Sequence, residues 1–179
     1  LQTEPTITLR DFKDQYADAV IYDALRKVRV PLPGTSDAKT TSAQERLVAA
    51  PIWIDTLALY YNKDLLNAAG IATPPEHWDQ FQEQVKKLTK LDADNKLVQA
   101  AVGMGTAANV ERATDILTAL MMQNGAQMAD SDGNPTFHMT PESAKSRRDV
   151  PPAYQALEFY TDFANPAKET YTWNAEQPN

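Results

Sequence analysis

PIWIDTLALYYNKDLLNAAGIATPPEHWDQF, residues 51–81, changes texture three times, and its reading governs the rest of the chain. Together with Arg46–Ala50 ahead of it, the run to Asn62 is dense in β-branched and aromatic residues, and Pro51 divides it into two strand-like pieces. Asn62 then stands where a helix cap is wanted, because its side-chain carbonyl can accept from first-turn amides, and Gly70 can close the Lys63–Ala69 helix in a left-handed conformation. After Thr73-Pro74-Pro75 the period becomes helical. Trp78, Phe81, Val85 and Leu88 fall on one stripe of a helix running to about Lys90, which predicts a core-facing element.

Upstream, Leu9, Phe12, Tyr16, Val20, Tyr22 and Leu25 are spaced for one or two surface helices, and Pro31 to Thr41 reads as a loop. Downstream, Asp92 to Asn95 is a turn and Val98 to Met104 a buried strand ending at Gly103-Met104-Gly105. A helix starts near Asn109, faces Val110, Ala113, Ile116, Leu117 and Leu120 inward, and stops at Asn124-Gly125. Asp130 to Pro135 is a tight turn. Pro151-Pro152 precedes a last helix, Ala153 to Phe163, and the sequence closes through Tyr171-Thr172-Trp173-Asn174. Helices alternating with short strands make the class α/β. The strands are too few for a complete sheet, so the chain reads as part of a larger domain.

With 179 residues, a chain can bury roughly 70% of its unfolded surface. The apolar stretches are interrupted by Asp, Asn or Lys too often for a membrane span. A net charge of −7, with no basic run longer than Lys86-Lys87 or Arg147-Arg148, argues against nucleic acid or an anionic membrane surface as partner. The absence of Cys excludes disulfides and thiolate chemistry, and the two histidines, His77 and His138, lack metal-ligand spacing. The opening Leu-Gln-Thr-Glu-Pro has no signal-segment features, so a targeting segment is expected to be removed or absent.

Several motifs invite chemistry and fail to complete it. Gly103-x-Gly105 sits between a strand and a helix, but lacks the third Gly and the Gly-Lys of a phosphate loop. Asp92-x-Asp94 and Asp130-x-Asp132 begin like calcium loops, yet neither has Gly at position six or Glu at position twelve. No Ser or Thr lies in a nucleophile elbow, so no catalytic residue is assigned, and no cofactor or metal is expected. Trp53 and Asp55 are more informative. In a strand both point to one side, and an indole beside a carboxylate suits a sugar, whose flat face stacks on the ring while vicinal hydroxyls donate to the acid. The same spacing equally fits a core Trp and a turn-starting Asp.

At these residues the chain resembles the extracellular solute-binding proteins of the maltose- and multiple-sugar-binding type, family 1. GTAANVERATDILTALMMQNGAQM, ALEFYTDFANP and YTWN are similar to the family's second-lobe sequences in the same order. The resemblance implies a two-lobed, periplasmic-binding-protein-like (type II) fold that holds carbohydrate between its lobes and delivers it to the membrane subunits of an ABC importer. Residues 1–56 would supply an edge of the first lobe and the approach to the hinge, and residues 57–179 the hinge and most of the second lobe. The family's opening strands and later completing segments are not represented. By position the resemblance implies ligand contacts from Trp53, Asp55, Tyr60, Asn109 and Trp173. It also implies a periplasmic or extracellular location, with a lipoprotein anchor as one form. His77 stands where relatives carry Thr as a helix cap, which weakens that cap by about 1 kcal/mol. The alternative is a truncated receptor fragment that binds nothing.

Overall fold

A computed structural model of the protein describes residues 8–16, 20–21, 24–31, 41–50, 52, 55–142 and 150–178. The chain divides into two compact units, Leu1–Thr56 and Leu57–Asn179, and mixes helix with sheet.

In the first unit, helix α1 (Leu9–Gln15) opens with a capping box. The Thr8 hydroxyl accepts from the Asp11 amide at 3.2 Å, and the Asp11 carboxylate accepts from the Thr8 amide at 3.0 Å. Phe12 is buried with Ile21 and Ala24. Strands β1 (Leu25–Pro31) and β2 (Thr41–Leu47) pair antiparallel, from Leu25 opposite Leu47 to Pro31 opposite Thr41. Leu25 was expected to continue a helix. Instead it opens β1 and packs on the Phe12 cluster, because Val28 and Val30 alternate with charged residues at a period of two. Most of the expected loop, residues 32–40, lies outside the described residues.

The strand pieces expected over 46–62 are also corrected. Strand β2 ends at Leu47, and described residues 48–50, 52 and 55–62 belong to no strand. A strand is part of a ladder of N–H and C=O bonds, and the 55–61 segment joins neither described sheet. Its apolar side chains stay exposed, Tyr60 at 92%.

The second unit holds the larger core. Helix α2 (Lys63–Ala68) is capped as expected, the Asn62 side chain accepting from the amides of Asp64 (2.9 Å) and Leu65 (3.2 Å), and Gly70 follows at φ +71°. Helix α3 (Trp78–Leu88) begins at His77 without a side-chain cap and buries Phe81 and Val85. Trp78, expected in the core, remains 39% exposed. Short strands β3 (Lys90–Leu91) and β4 (Leu97–Gln99) pair around the Asp92–Asn95 turn, where Asn95 takes φ +61°. The buried strand expected from Val98 to Met104 is therefore only β4, with Val98 exposed and Met104 buried.

Helices α4 (Ala113–Gln123) and α5 (Pro152–Asp162) pack together, and Phe81, Val85, Met104, Leu120, Ala156, Tyr160 and Phe163 form one apolar cluster. Trp78, Phe81, Phe159 and Phe163 meet edge to face at centroid distances of 5.2–5.8 Å. Among the described residues no helix is long and apolar enough to cross a membrane.

Candidate functional site around Trp173

The chain after α5 folds back on the helix that precedes it. Phe163 has no exposed surface, and its carbonyl accepts the amides of Thr172 (2.8 Å) and Trp173 (3.1 Å). Thr172 is also fully buried. Its hydroxyl oxygen accepts the Ala101 amide at 2.7 Å and shares a hydrogen bond of 2.7 Å with the Thr89 hydroxyl, which lies 2.8 Å from the Val85 carbonyl at the end of α3.

This folding brings residues 171–177 against the loop 103–109. The Asn109 side-chain amide donates to the carbonyls of Asn174 (2.9 Å) and Gln177 (2.8 Å), and its oxygen accepts from the Thr106 hydroxyl. The Tyr160 phenol donates to the Thr106 carbonyl at 2.7 Å, and burial pushes its pKa up. Asn174 in turn donates to the Tyr171 phenol oxygen at 3.0 Å. Half-buried Trp173 lies over Gly103, where an added Cβ would stand 3.5 Å from Cη2 and Cζ2 of the indole. Its Nε1 is buried with no hydrogen-bond partner among the described residues, an arrangement that costs about 1–3 kcal/mol if nothing accepts from it.

The motif glycines thus have packing roles. Gly103 seats the indole, and Gly105 adopts φ +106° where a Cβ would fall 2.5 Å from the Ala164 nitrogen. In the two acidic turns the carboxylates face backbone amides. Asp92 accepts from Asp94 and Lys96 at 2.9 Å, and Asp130 accepts from Asp132 (2.9 Å) and Asn134 (2.8 Å). No group of three or more potential metal ligands occurs among the described residues.

Of the five site residues predicted from sequence, the structure brings Asn109 and Trp173 together, although Asn109 is 65 positions from the Asn174 carbonyl it holds. Tyr60 stands on the exposed 55–62 segment and rims a separate recess of about 110 Å³ with Tyr61, Gln84 and Gln99. Asp55 belongs to the other unit, is exposed, and accepts from the Thr56 amide at 2.9 Å. Trp53 lies outside the described residues, and so does the common face expected for it and Asp55. Thr106, Tyr160, Tyr171 and Thr172 were not anticipated. Only Tyr171 and Thr172 carried a signal, as part of the Tyr-Thr-Trp-Asn run. A second concavity of about 290 Å³, between α3, α4 and α5, is walled by Trp78, Leu120, Gln123 and Phe159, with Trp78 Nε1 donating to Gln123 Oε1 at 2.8 Å.

The profile of a family described as bacterial extracellular solute-binding protein matches residues 8–178. Similar curated proteins include candidate binding proteins of Brucella abortus (strain 2308) and Brucella suis biovar 1 (strain 1330). Each is 36% identical over 63 residues, which is 35% of this chain and 14% of the relative. No solved structure matches.

Proposed function

The chain belongs to the bacterial extracellular solute-binding protein family, whose members bind a solute for transport, and we propose that the solute here is a carbohydrate. The family is generally non-enzymatic, which agrees with a sequence that assembles no nucleophile or acid–base pair. The observation that carries the carbohydrate reading is half-buried Trp173 next to Asn174, whose side-chain amide donates to the Tyr171 phenol oxygen. Carbohydrates present weakly apolar ring faces and many hydroxyls. An indole flanked by amide and phenol groups offers stacking and hydrogen bonding side by side, without the cationic cluster that phosphate would need.

In this reading the whole receptor is a two-lobed type II binding fold. Residues 1–56 contribute to the first lobe and the approach to the hinge, and residues 57–179 to the hinge and most of the second lobe. Trp53, Asp55, Tyr60 and Trp173 are the side chains proposed to meet the sugar. The receptor works outside the cell, free in the periplasm or tethered as a lipoprotein, and hands its sugar to the membrane subunits of an ABC importer. Calorimetric titration of the full-length receptor against mono- and oligosaccharides tests this. Saturable binding of at least one sugar is expected. Binding of amino acids, polyol phosphates or metal ions, with no sugar bound, would refute the reading.

A further inference from the structure

We infer that Asn109 is a positioning residue: its side chain fixes Trp173 for the ligand and has no N–H left to donate to the ligand. This rests on the reading of Trp173 as a ligand-stacking residue. Both hydrogens of the Asn109 amide are engaged by backbone carbonyls, those of Asn174 at 2.9 Å and Gln177 at 2.8 Å. Its oxygen receives the Thr106 hydroxyl, and the Thr106 carbonyl receives the Tyr160 phenol. One short side chain therefore ties the 103–109 loop, α5 and the tail into a single hydrogen-bonded unit, and a neutral amide has two N–H groups and no more to give.

Trp173 sits between two fixed points. On one side the Thr172 and Trp173 amides are held by the Phe163 carbonyl, and the Thr172 hydroxyl is held by Ala101 and Thr89. On the other side, among the described residues, the side chain that clasps the stretch just beyond Trp173 from outside the tail is Asn109. The indole Nε1 is buried without an acceptor among the described residues while the ring lies on Gly103. A ring free to turn would take that N–H to water, so its seat is imposed by the backbone on either side. Loss of the Asn109 donors releases one side and leaves the buried Thr172 anchor in place.

The test uses the full-length receptor labelled with 5-fluorotryptophan, the Trp173 fluorine resonance being assigned with Trp173→Phe. Asn109→Asp replaces two donors with an acceptor facing two carbonyls, and Asn109→Ala is the milder variant should the first fail to fold. In unliganded protein the Trp173 resonance is expected to shift and broaden in either variant. Carbohydrate affinity should fall roughly three- to thirty-fold, and adding Asn109→Ala to Trp173→Phe should weaken binding no further. An unmoved resonance, or losses that multiply in the double variant, would overturn the positioning role. If the wild-type receptor binds no carbohydrate, the functional reading fails, and the unliganded resonance still decides whether Asn109 seats Trp173.

Discussion

The Thr172 hydroxyl, with no exposed surface, accepts the Ala101 amide and meets Thr89, so Thr172→Val leaves a part-buried N–H without its partner. The expected loss is about 1–3 kcal/mol in urea unfolding. A change under about 0.5 kcal/mol would mean that water replaces the hydroxyl. Tyr160→Phe removes the donor to the Thr106 carbonyl at a smaller loss, about 1–2 kcal/mol, since the ring still fills its place in the core. Asp130 tests electrostatics instead. The Asn134 side-chain amide, then the Asn134 backbone amide, lowers its carboxyl pKa below 3.8. A depressed acid stabilises its turn above its unfolded value, and that contribution disappears as pH falls through the folded value. The Asn134 side-chain amide resonances should therefore titrate with a midpoint below 3.8, and a midpoint at or above it would contradict the hydrogen bonds. The role of Thr172 was not legible in the sequence, because a Thr between Tyr and Trp has no periodic signature and its partners are 71 and 83 positions away.

Helices α2 to α5 were readable because their signals are local. Asn62 and Gly70 bracket α2, Phe81 and Val85 mark the inner stripe of α3, and Gly125 at φ +92° ends α4. Strands were not, since pairing is a property of two distant segments. Leu25 carried a helical spacing but found Leu47 opposite it, and Leu57–Tyr61 carried a strand composition but joins neither described sheet. Caps provide the cleanest test at this scale. Asn62→Ala removes the acceptor for two first-turn amides and should destabilise by about 1 kcal/mol, whereas His77→Ser supplies a missing cap to α3 and should stabilise by roughly 0.5–1 kcal/mol. Thermal unfolding of the two variants should move in opposite directions. A destabilised His77→Ser would show that His77 has another role.

For the whole molecule, the family is shown over residues 8–178, while the ligand and the cleft are inferences from one corner of the second unit. The resemblance implied ligand contacts from Trp173 and Asn109. It could not reveal that the Asn109 amide is engaged by the tail, because side-chain hydrogen bonding across 65 positions leaves no mark in spacing. The two units have separate cores, around Phe12 and around Phe81 to Phe163, and the proposed sugar site rests on few residues. Among these Trp173 is the most exacting. Calorimetric titration of the full-length receptor and its Trp173→Ala variant with the sugar it binds, alongside thermal unfolding, is the most direct test. A stacking indole contributes on the order of 1–3 kcal/mol, so affinity should fall roughly five- to 150-fold. The stability loss should stay below the 3–5 kcal/mol typical of a fully buried Trp, because this one is only half-buried. Unchanged affinity with a large drop in melting temperature would contradict the account and make Trp173 part of the core alone.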